Sequence, residues 1–246
     1  MYISGRWKPS TAYTVTMSTN VADIYGQKLA QPIVFHVTTN PFEPRFDVST
    51  YGIYGVLASH LPRLYQARTL NWNQQVNVKL ESGTLEGVAH GDYGGTLKAR
   101  KSYDASAALN TSKIINIDLD ELAGQKLPNG FYKLSFENGP SYLQPRNLMI
   151  TDTALTVKRD TGGKVLVWAT DMKSGQVVPR LSVRIWSPVN DYDRSLLKKV
   201  AEGKTDAQGV VSLTVDESTK LQNLVIEGSD GARLGYVETE WSEGIG

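Results

Sequence analysis

The chain has 246 residues, 26 Lys and Arg against 25 Asp and Glu, a formal net charge of +1, 40% hydrophobic residues and no cysteine. That length holds two domains of ordinary size plus a remainder, and the composition excludes a disordered chain. Its interspersed charges offer no basic face for nucleic acid, and the missing cysteine excludes disulfides, cysteine-type zinc sites and a thiol nucleophile in this sequence.

Period-two alternation begins at Tyr13 to Met17, which puts Tyr13, Val15 and Met17 on one face and threonines on the other. A turn is expected at Asp23-Ile24-Tyr25-Gly26, and then Ile33, Phe35 and Val37 repeat the device. Asn40-Pro41-Phe42-Glu43-Pro44 breaks the pattern. The stretch Tyr51 to Leu57 carries two Tyr-Gly steps and reads either as an exposed interaction loop or as a strand bulged at its glycines. Further strands are expected at Val76 to Leu80, Ile115 to Leu119 and Tyr132 to Phe136, with a single helical turn over Asp118 to Ala123. Pro128-Asn129-Gly130 reads as a turn using positive φ.

Asn147 to Ile150 and Leu155 to Lys158 are strand-like pieces on either side of the polar joint Thr151-Asp152-Thr153. Lys164 to Asp171, a turn at Ser174 to Pro179, Leu181 to Trp186, a Thr205-Asp206-x-x-Gly209 turn and Val210 to Val215 then follow as strand, turn, strand, turn, strand. Ser195 to Glu202 reads as a strand, with a two-turn helix as the alternative. Asp230-Gly231 marks another turn. Short alternating strands with regular turn signals predict an all-β chain of tandem antiparallel β-sandwich, Ig-like domains. The expected division is a partial module at 1–43 and sandwiches at 44–152 and 153–246. Three strands or fewer cannot close a core, so the first piece is expected either to pack on its neighbour or to be incomplete.

No residue earns assignment as catalytic, cofactor-binding or metal-binding. His36, His60 and His90 have no metal-like spacing and read as solvated. Asp118 and Asp120 read as a polar strand face, because calcium needs six to eight shaped oxygens. Asn190-Asp191-Tyr192-Asp193-Arg194 reads as a polar hairpin tip without the glycine-centred loop of an EF-hand. Ser59-His60 has no Gly-x-Ser-x-Gly elbow around it, and Gly91-Asp92-Tyr93-Gly94-Gly95 lacks the Lys-Ser/Thr of a phosphate loop. Trp72, Trp168, Trp186 and Trp241 read as core or inter-module packing. Lys98-Ala99-Arg100-Lys101 and Lys198-Lys199 read as solvated surface.

Three stretches together resemble the bacterial alpha-2-macroglobulin family. The first is Tyr13 to Thr39, similar to an Ig-like module near the start of those proteins. The second joins Arg68 to Leu80 with the hairpin Leu127 to Tyr132. The third and most specific comprises Thr151 to Asp160, Val167 to Pro179, Gly203 to Gly209 and Trp241 to Gly244. The resemblance covers nearly the whole chain in order and implies macroglobulin-like sandwich domains from the amino-terminal half of a protease-trapping endopeptidase inhibitor. It also implies export to the periplasm or cell surface as part of a longer chain. Neighbouring modules of the same polypeptide would be its partners, with proteases engaged by the whole protein. The family's Cys-Gly-Glu-Gln thioester cannot lie here, and no bait-like loop stands out. A non-catalytic scaffold without cofactors is therefore expected, touching a membrane only through an anchor outside this stretch.

The alternative from another class is a tandem Ig-like stalk of a bacterial surface adhesin, which shares the Thr-Asp-x-x-Gly turns. A carbohydrate-binding module using Trp72 or Trp241 is the third. The opening Met1-Tyr2-Ile3-Ser4-Gly5-Arg6-Trp7 lacks a signal peptide's basic start and apolar core, which leaves a cytosolic protein or a segment of a longer exported chain, and the latter is expected.

Overall fold

The computed structural model describes residues 4–48, 54–89, 94–140, 143–160, 162–189, 196–216 and 224–239. Alternation turns into strands throughout. β1 (Ala12–Met17) and β2 (Ile33–Thr38) form an antiparallel hairpin. Its register places Tyr13 opposite Val37, Val15 opposite Phe35 and Met17 opposite Ile33, gathering six apolar side chains on one face.

Two sheets face each other next. One runs β3-β5-β8, from Arg45–Val48, Leu64–Leu70 and Ser112–Asp118. The other runs β4-β10-β9-β6-β7, from Tyr54–Ala58, Arg146–Thr151, Gly130–Phe136, Gln75–Ser82 and Thr96–Asp104. Phe46, Tyr65, Val78, Leu80, Ile117 and Leu134 fill the space between them at 1% exposure or less. Among the described residues antiparallel pairing has one exception: β4 lies parallel to β10, in unbroken register from Tyr54 with Asn147 to Ala58 with Thr151. The Tyr-Gly stretch therefore continues as an edge strand. Tyr51 to Ile53 lie outside the described residues.

Two five-residue helices interrupt this sandwich: α1 (Leu85–Ala89) and α2 (Leu119–Ala123). The expected helical turn is α2, and it corrects the reading of its two aspartates. Asp118 ends β8 and caps the helix by accepting the Asp120 and Glu121 amides, while Gly124 ends it at φ +68°. Asp120 instead turns inward. Its carboxylate takes the Arg63 guanidinium at 2.6 Å and the Leu127 amide at 2.8 Å, with the Arg63 side chain only 2% exposed. A polar strand face is ruled out because the strand stops at the cap.

The second pair of sheets is built the same way. β11 (Thr153–Arg159), β12 (Lys164–Asp171) and β15 (Val210–Thr214) form one sheet. β14 (Leu197–Lys204), β13 (Ser182–Pro188), β16 (Val225–Ser229) and β17 (Leu234–Glu238) form the other. Val165, Val167, Val183, Ile185, Leu224 and Ile226 are fully buried between them. In β14 Lys198, Lys199, Glu202 and Lys204 are exposed while Val200 and Ala201 are half-buried, the pairing with β13 shifts register at Trp186, and no helix forms there.

The Thr-Asp-x-x-Gly turn ties this sandwich together. The buried Thr205 hydroxyl donates to the Val178 carbonyl at 2.7 Å and accepts the Leu181 amide at 2.9 Å. Asp206 accepts the amides of Gln208 and Val210, and Gly209 sits at φ +74°, where a Cβ would lie 2.8 Å from the Ala169 carbonyl oxygen. Only glycine satisfies both constraints. Among the described residues no helix is long and apolar enough to cross a membrane.

Candidate functional site

The two sandwiches meet at a joint of one residue. β10 ends at Thr151 and β11 begins at Thr153, so only Asp152 separates strands of different cores. Thr151 and Thr153 are each 1% exposed. The Thr151 hydroxyl donates to the Leu234 carbonyl and accepts the Thr153 amide at 2.9 Å. The Asp152 carbonyl accepts the Met172 amide at 2.7 Å. The Asn129 side-chain amide reaches both the Asp152 carboxylate at 3.2 Å and the Ala232 carbonyl at 3.1 Å. The polar joint is therefore satisfied from both sides, as buried polar groups require.

Beside it lies an apolar contact distinct from either core. Val88 and Ala89 of α1, Phe131 of β9 and Met149 of β10 pack against Val225 of β16 and Tyr236 of β17, all 6% exposed or less. Leu85, Trp186, Leu197 and Leu234 surround them. The Phe131 and Tyr236 rings meet edge to face at 5.2 Å. Strand geometry accounts for the arrangement. Neighbours on a strand point to opposite faces, so Tyr132 and Leu148 enter the first core while Phe131 and Met149 point out of it. Ile226 and Val237 likewise pack with the second core while Val225 and Tyr236 face the junction. Tyr236 donates to the Glu238 carboxylate, itself 9% exposed.

Asn129 corrects the expected turn. Gly130 starts β9, and neither residue has a positive φ. The position holds the junction through its side chain instead. The preceding Pro128 carbonyl accepts the Tyr132 hydroxyl at 2.9 Å, and burial pushes the Tyr132 phenol above its ordinary value, an effect that the nearby Arg63 partly offsets.

The tryptophans separate into different environments. Trp72 packs against the first core, its ring 5.7 Å from Phe46, and Trp186 belongs to the junction. Trp168 corrects the packing reading: at 43% exposure it stands on the wet face of β12, opposite Thr156 and Val210. Trp241 lies outside the described residues, as do His90, the 190–194 cluster and the 241–244 motif.

His36 stands on the exposed polar face of the hairpin, 3.2 Å from the Thr14 hydroxyl, and His60 is exposed in the turn after β4. Arg100 and Lys101 pair with Glu137 and Glu121, and Lys199 with Glu202, so those basic clusters are ordinary surface charge. Among the described residues no group of three or more His, Asp or Glu could hold a metal ion. The junction brings together apolar packing and side-chain hydrogen bonds from both sandwiches. Sequence alternation concealed it, because the positions that build it look like ordinary outward residues. The clue was the unbroken run Leu148-Met149-Ile150, apolar on both faces of one strand.

No family model matches the sequence, and no curated protein matches it. Solved structures do. The crystal structure of native alpha-2-macroglobulin from Escherichia coli spanning domains MG0-NIE-MG1 matches with a TM-score of 0.64 at 14% identity, over 95% of this chain and 76% of that one. Salmonella alpha-2-macroglobulin reacted with methylamine matches with a TM-score of 0.68 at 15% identity, over 95% of this chain. The fold is that of bacterial alpha-2-macroglobulin domains. The E. coli structure spanning NIE-MG1 alone matches over 80% of this chain and 98% of its own length, with a TM-score of 0.56 and 14% identity. The chain spans 14% of the Salmonella protein.

Proposed function

We propose that this chain is a non-catalytic scaffold segment of a bacterial alpha-2-macroglobulin-like protease-trapping protein. The observation that carries the reading is the junction: two sandwiches joined through one residue and sealed by Phe131, Met149, Val225 and Tyr236. A trap that closes around a protease needs modules that move as bodies, and a sealed joint transmits motion where a flexible linker dissipates it. The likeness to bacterial alpha-2-macroglobulin domains supports the same assignment.

Under this reading the segment's partners are neighbouring modules of the same polypeptide, and proteases engage only the complete protein. It binds neither nucleic acid nor cofactor, and it is exported to the periplasm or cell surface.

The test compares residues 1–246 with the complete polypeptide in the presence of an endopeptidase. The complete polypeptide should block digestion of a large protein substrate, while residues 1–246 alone should neither block nor hydrolyse it. Hydrolysis or inhibition by residues 1–246 alone would contradict the scaffold role. Absence of inhibition by the complete polypeptide would contradict the trap.

A further inference from the structure

Asn129 is followed by Gly130, and nothing in the backbone requires that glycine. Neither residue has a positive φ. A Cβ on Gly130 would come no closer than 3.6 Å to its nearest neighbour, the Tyr132 ring, which is an ordinary contact. The chain's other Asn-Gly step, Asn138-Gly139, is different. It lies in the turn after β9, where a Cβ on Gly139 would come within 3.2 Å of the Phe136 carbonyl oxygen and of the Leu143 side chain. Crowding explains Gly139 and does not explain Gly130.

An Asn-Gly step has a reactivity of its own. The backbone nitrogen after an asparagine can close a small ring on the side-chain carbonyl carbon, and glycine, lacking a Cβ, leaves that nitrogen unshielded. We propose that Asn129-Gly130 is a self-modification site, a deamidation step whose reaction uncouples the two sandwiches. The Gly130 nitrogen attacks Cγ of Asn129 and forms the N–Cγ bond of a succinimide. The Cγ–Nδ2 bond breaks, and Nδ2 leaves as ammonia with the proton given up by the Gly130 nitrogen. Water then opens the ring at Cγ, leaving aspartate, or at the Asn129 backbone carbonyl, leaving isoaspartate. Each event consumes a water and releases an ammonia, and no oxidant or reductant takes part. Asn129 and Gly130 are half-buried, so water reaches both.

The position gives the reaction its consequence. Both groups that the Asn129 amide meets are acceptors, the Asp152 carboxylate at 3.2 Å and the Ala232 carbonyl at 3.1 Å. Only the NH2 end can serve them, so the chemistry fixes which way the amide points. Deamidation replaces that donor with a carboxylate. A second negative charge then stands against Asp152, and the Ala232 carbonyl faces another acceptor. Isoaspartate also lengthens the main chain by a carbon just before Phe131, whose ring meets Tyr236 across the junction.

The closed junction restrains the same reaction. The Asn129 side chain must leave Asp152 and Ala232 and swing back over the Gly130 nitrogen before it can cyclise. It therefore reacts from states in which the sandwiches have parted, and the product cannot re-form the two bonds. A transient opening becomes a permanent one. The inference stands on the junction's geometry and does not depend on protease trapping.

Incubation of the 246-residue chain at mildly alkaline pH, read by peptide mass spectrometry, tests it. Exchange of NH2 for OH raises the peptide mass, and chromatography separates isoaspartate from aspartate. The exposed Asn138 should react first and Asn129 later. Tyr236→Ala, across the junction, should speed the reaction at Asn129 by at least about 10-fold, equivalent to about 1.4 kcal/mol less protection, and leave Asn138 unchanged. Gly130→Ala should suppress the reaction while the circular dichroism stays native. Spin labels at Lys98→Cys and Ala207→Cys should report a broadened distance distribution in molecules modified at Asn129, and a narrow one in molecules modified at Asn138 alone. An unmodified Asn129 in Tyr236→Ala, or equal acceleration at both steps, would overturn the inference. So would a distribution that stays narrow after Asn129 has reacted.

Discussion

The Phe131 ring meets the Tyr236 ring edge to face at 5.2 Å, although 105 positions separate them and each belongs to a strand of a different sandwich. Such ring pairs contribute about 1 kcal/mol beyond the area they bury. Phe131→Ala should therefore lower stability by about 3 kcal/mol. A double-mutant cycle with Tyr236→Phe and Tyr236→Ala, read by denaturant unfolding, should return a coupling of about 1 kcal/mol for the ring and a separate loss for the hydroxyl bonded to Glu238. Additive effects would mean that the contact carries no coupling.

The Arg63 guanidinium is buried and depends on Asp120 for its counter-charge. Asp120→Ala removes that charge and the acceptor for the Leu127 amide. The expected loss is about 2 to 3 kcal/mol, toward the low end for broken buried pairs because the Asp120 side chain is one-third exposed. Replacing both partners with apolar residues of similar volume should recover part of it, as thermal unfolding would show.

Thr205→Val keeps the side-chain shape but deletes the hydroxyl that serves the Val178 carbonyl and the Leu181 amide. It should cost about 1 to 3 kcal/mol, whereas Thr205→Ser should cost less. Gly209→Ala adds a Cβ 2.8 Å from the Ala169 oxygen at φ +74° and should destabilise by more than about 1 kcal/mol. Equal stabilities for the valine and serine variants would remove the hydroxyl's role.

Asp171 organises its own turn. The Ser174 amide, then the Ser174 hydroxyl, and the Lys173 amide donate to its carboxylate and hold its pKa below the ordinary value of 3.8. A depressed folded-state pKa means that the charged form is preferred in the fold. Its contribution is fully present above about pH 3.8 and fades as pH falls through the lower folded value. Carboxyl chemical shifts should titrate below 3.8, and Asp171→Asn should flatten the acid limb of the stability profile. A midpoint at or above 3.8 would contradict the turn geometry.

Strand positions were legible because the outer faces of most strands are wet, which leaves clean alternation at Tyr13 to Met17, Val76 to Leu80 and Lys164 to Asp171. The all-β fold followed from these runs and from the turns between them, while the likeness to bacterial alpha-2-macroglobulin domains came from the resemblance of motif stretches such as Val167 to Pro179 and Gly203 to Gly209. The junction was not legible. Phe131 and Met149 occupy outward strand positions, and partners distant in sequence cover them: Val88 and Ala89 of α1, and Val225 and Tyr236 more than 70 positions away. Asp118 and Asp120 were misread because alternation alone cannot separate a strand's last residue from a helix cap. The helix α1 escaped because Leu85–Ala89 is a five-residue stretch holding Gly87, too short for periodicity to show. Trp168 was misplaced because an aromatic on a wet strand face has the same spacing as one in the core.

The scaffold role requires the two sandwiches to behave as one rigid body across the Phe131–Tyr236 junction. The chain has no cysteine, so spin labels can be placed singly at Lys98→Cys and Ala207→Cys, exposed sites in different sandwiches. Pulsed dipolar spectroscopy between them should give one narrow distance distribution in the native protein and a broad one after Phe131→Ala with Tyr236→Ala. A broad distribution in the native protein would contradict a sealed junction and with it the scaffold.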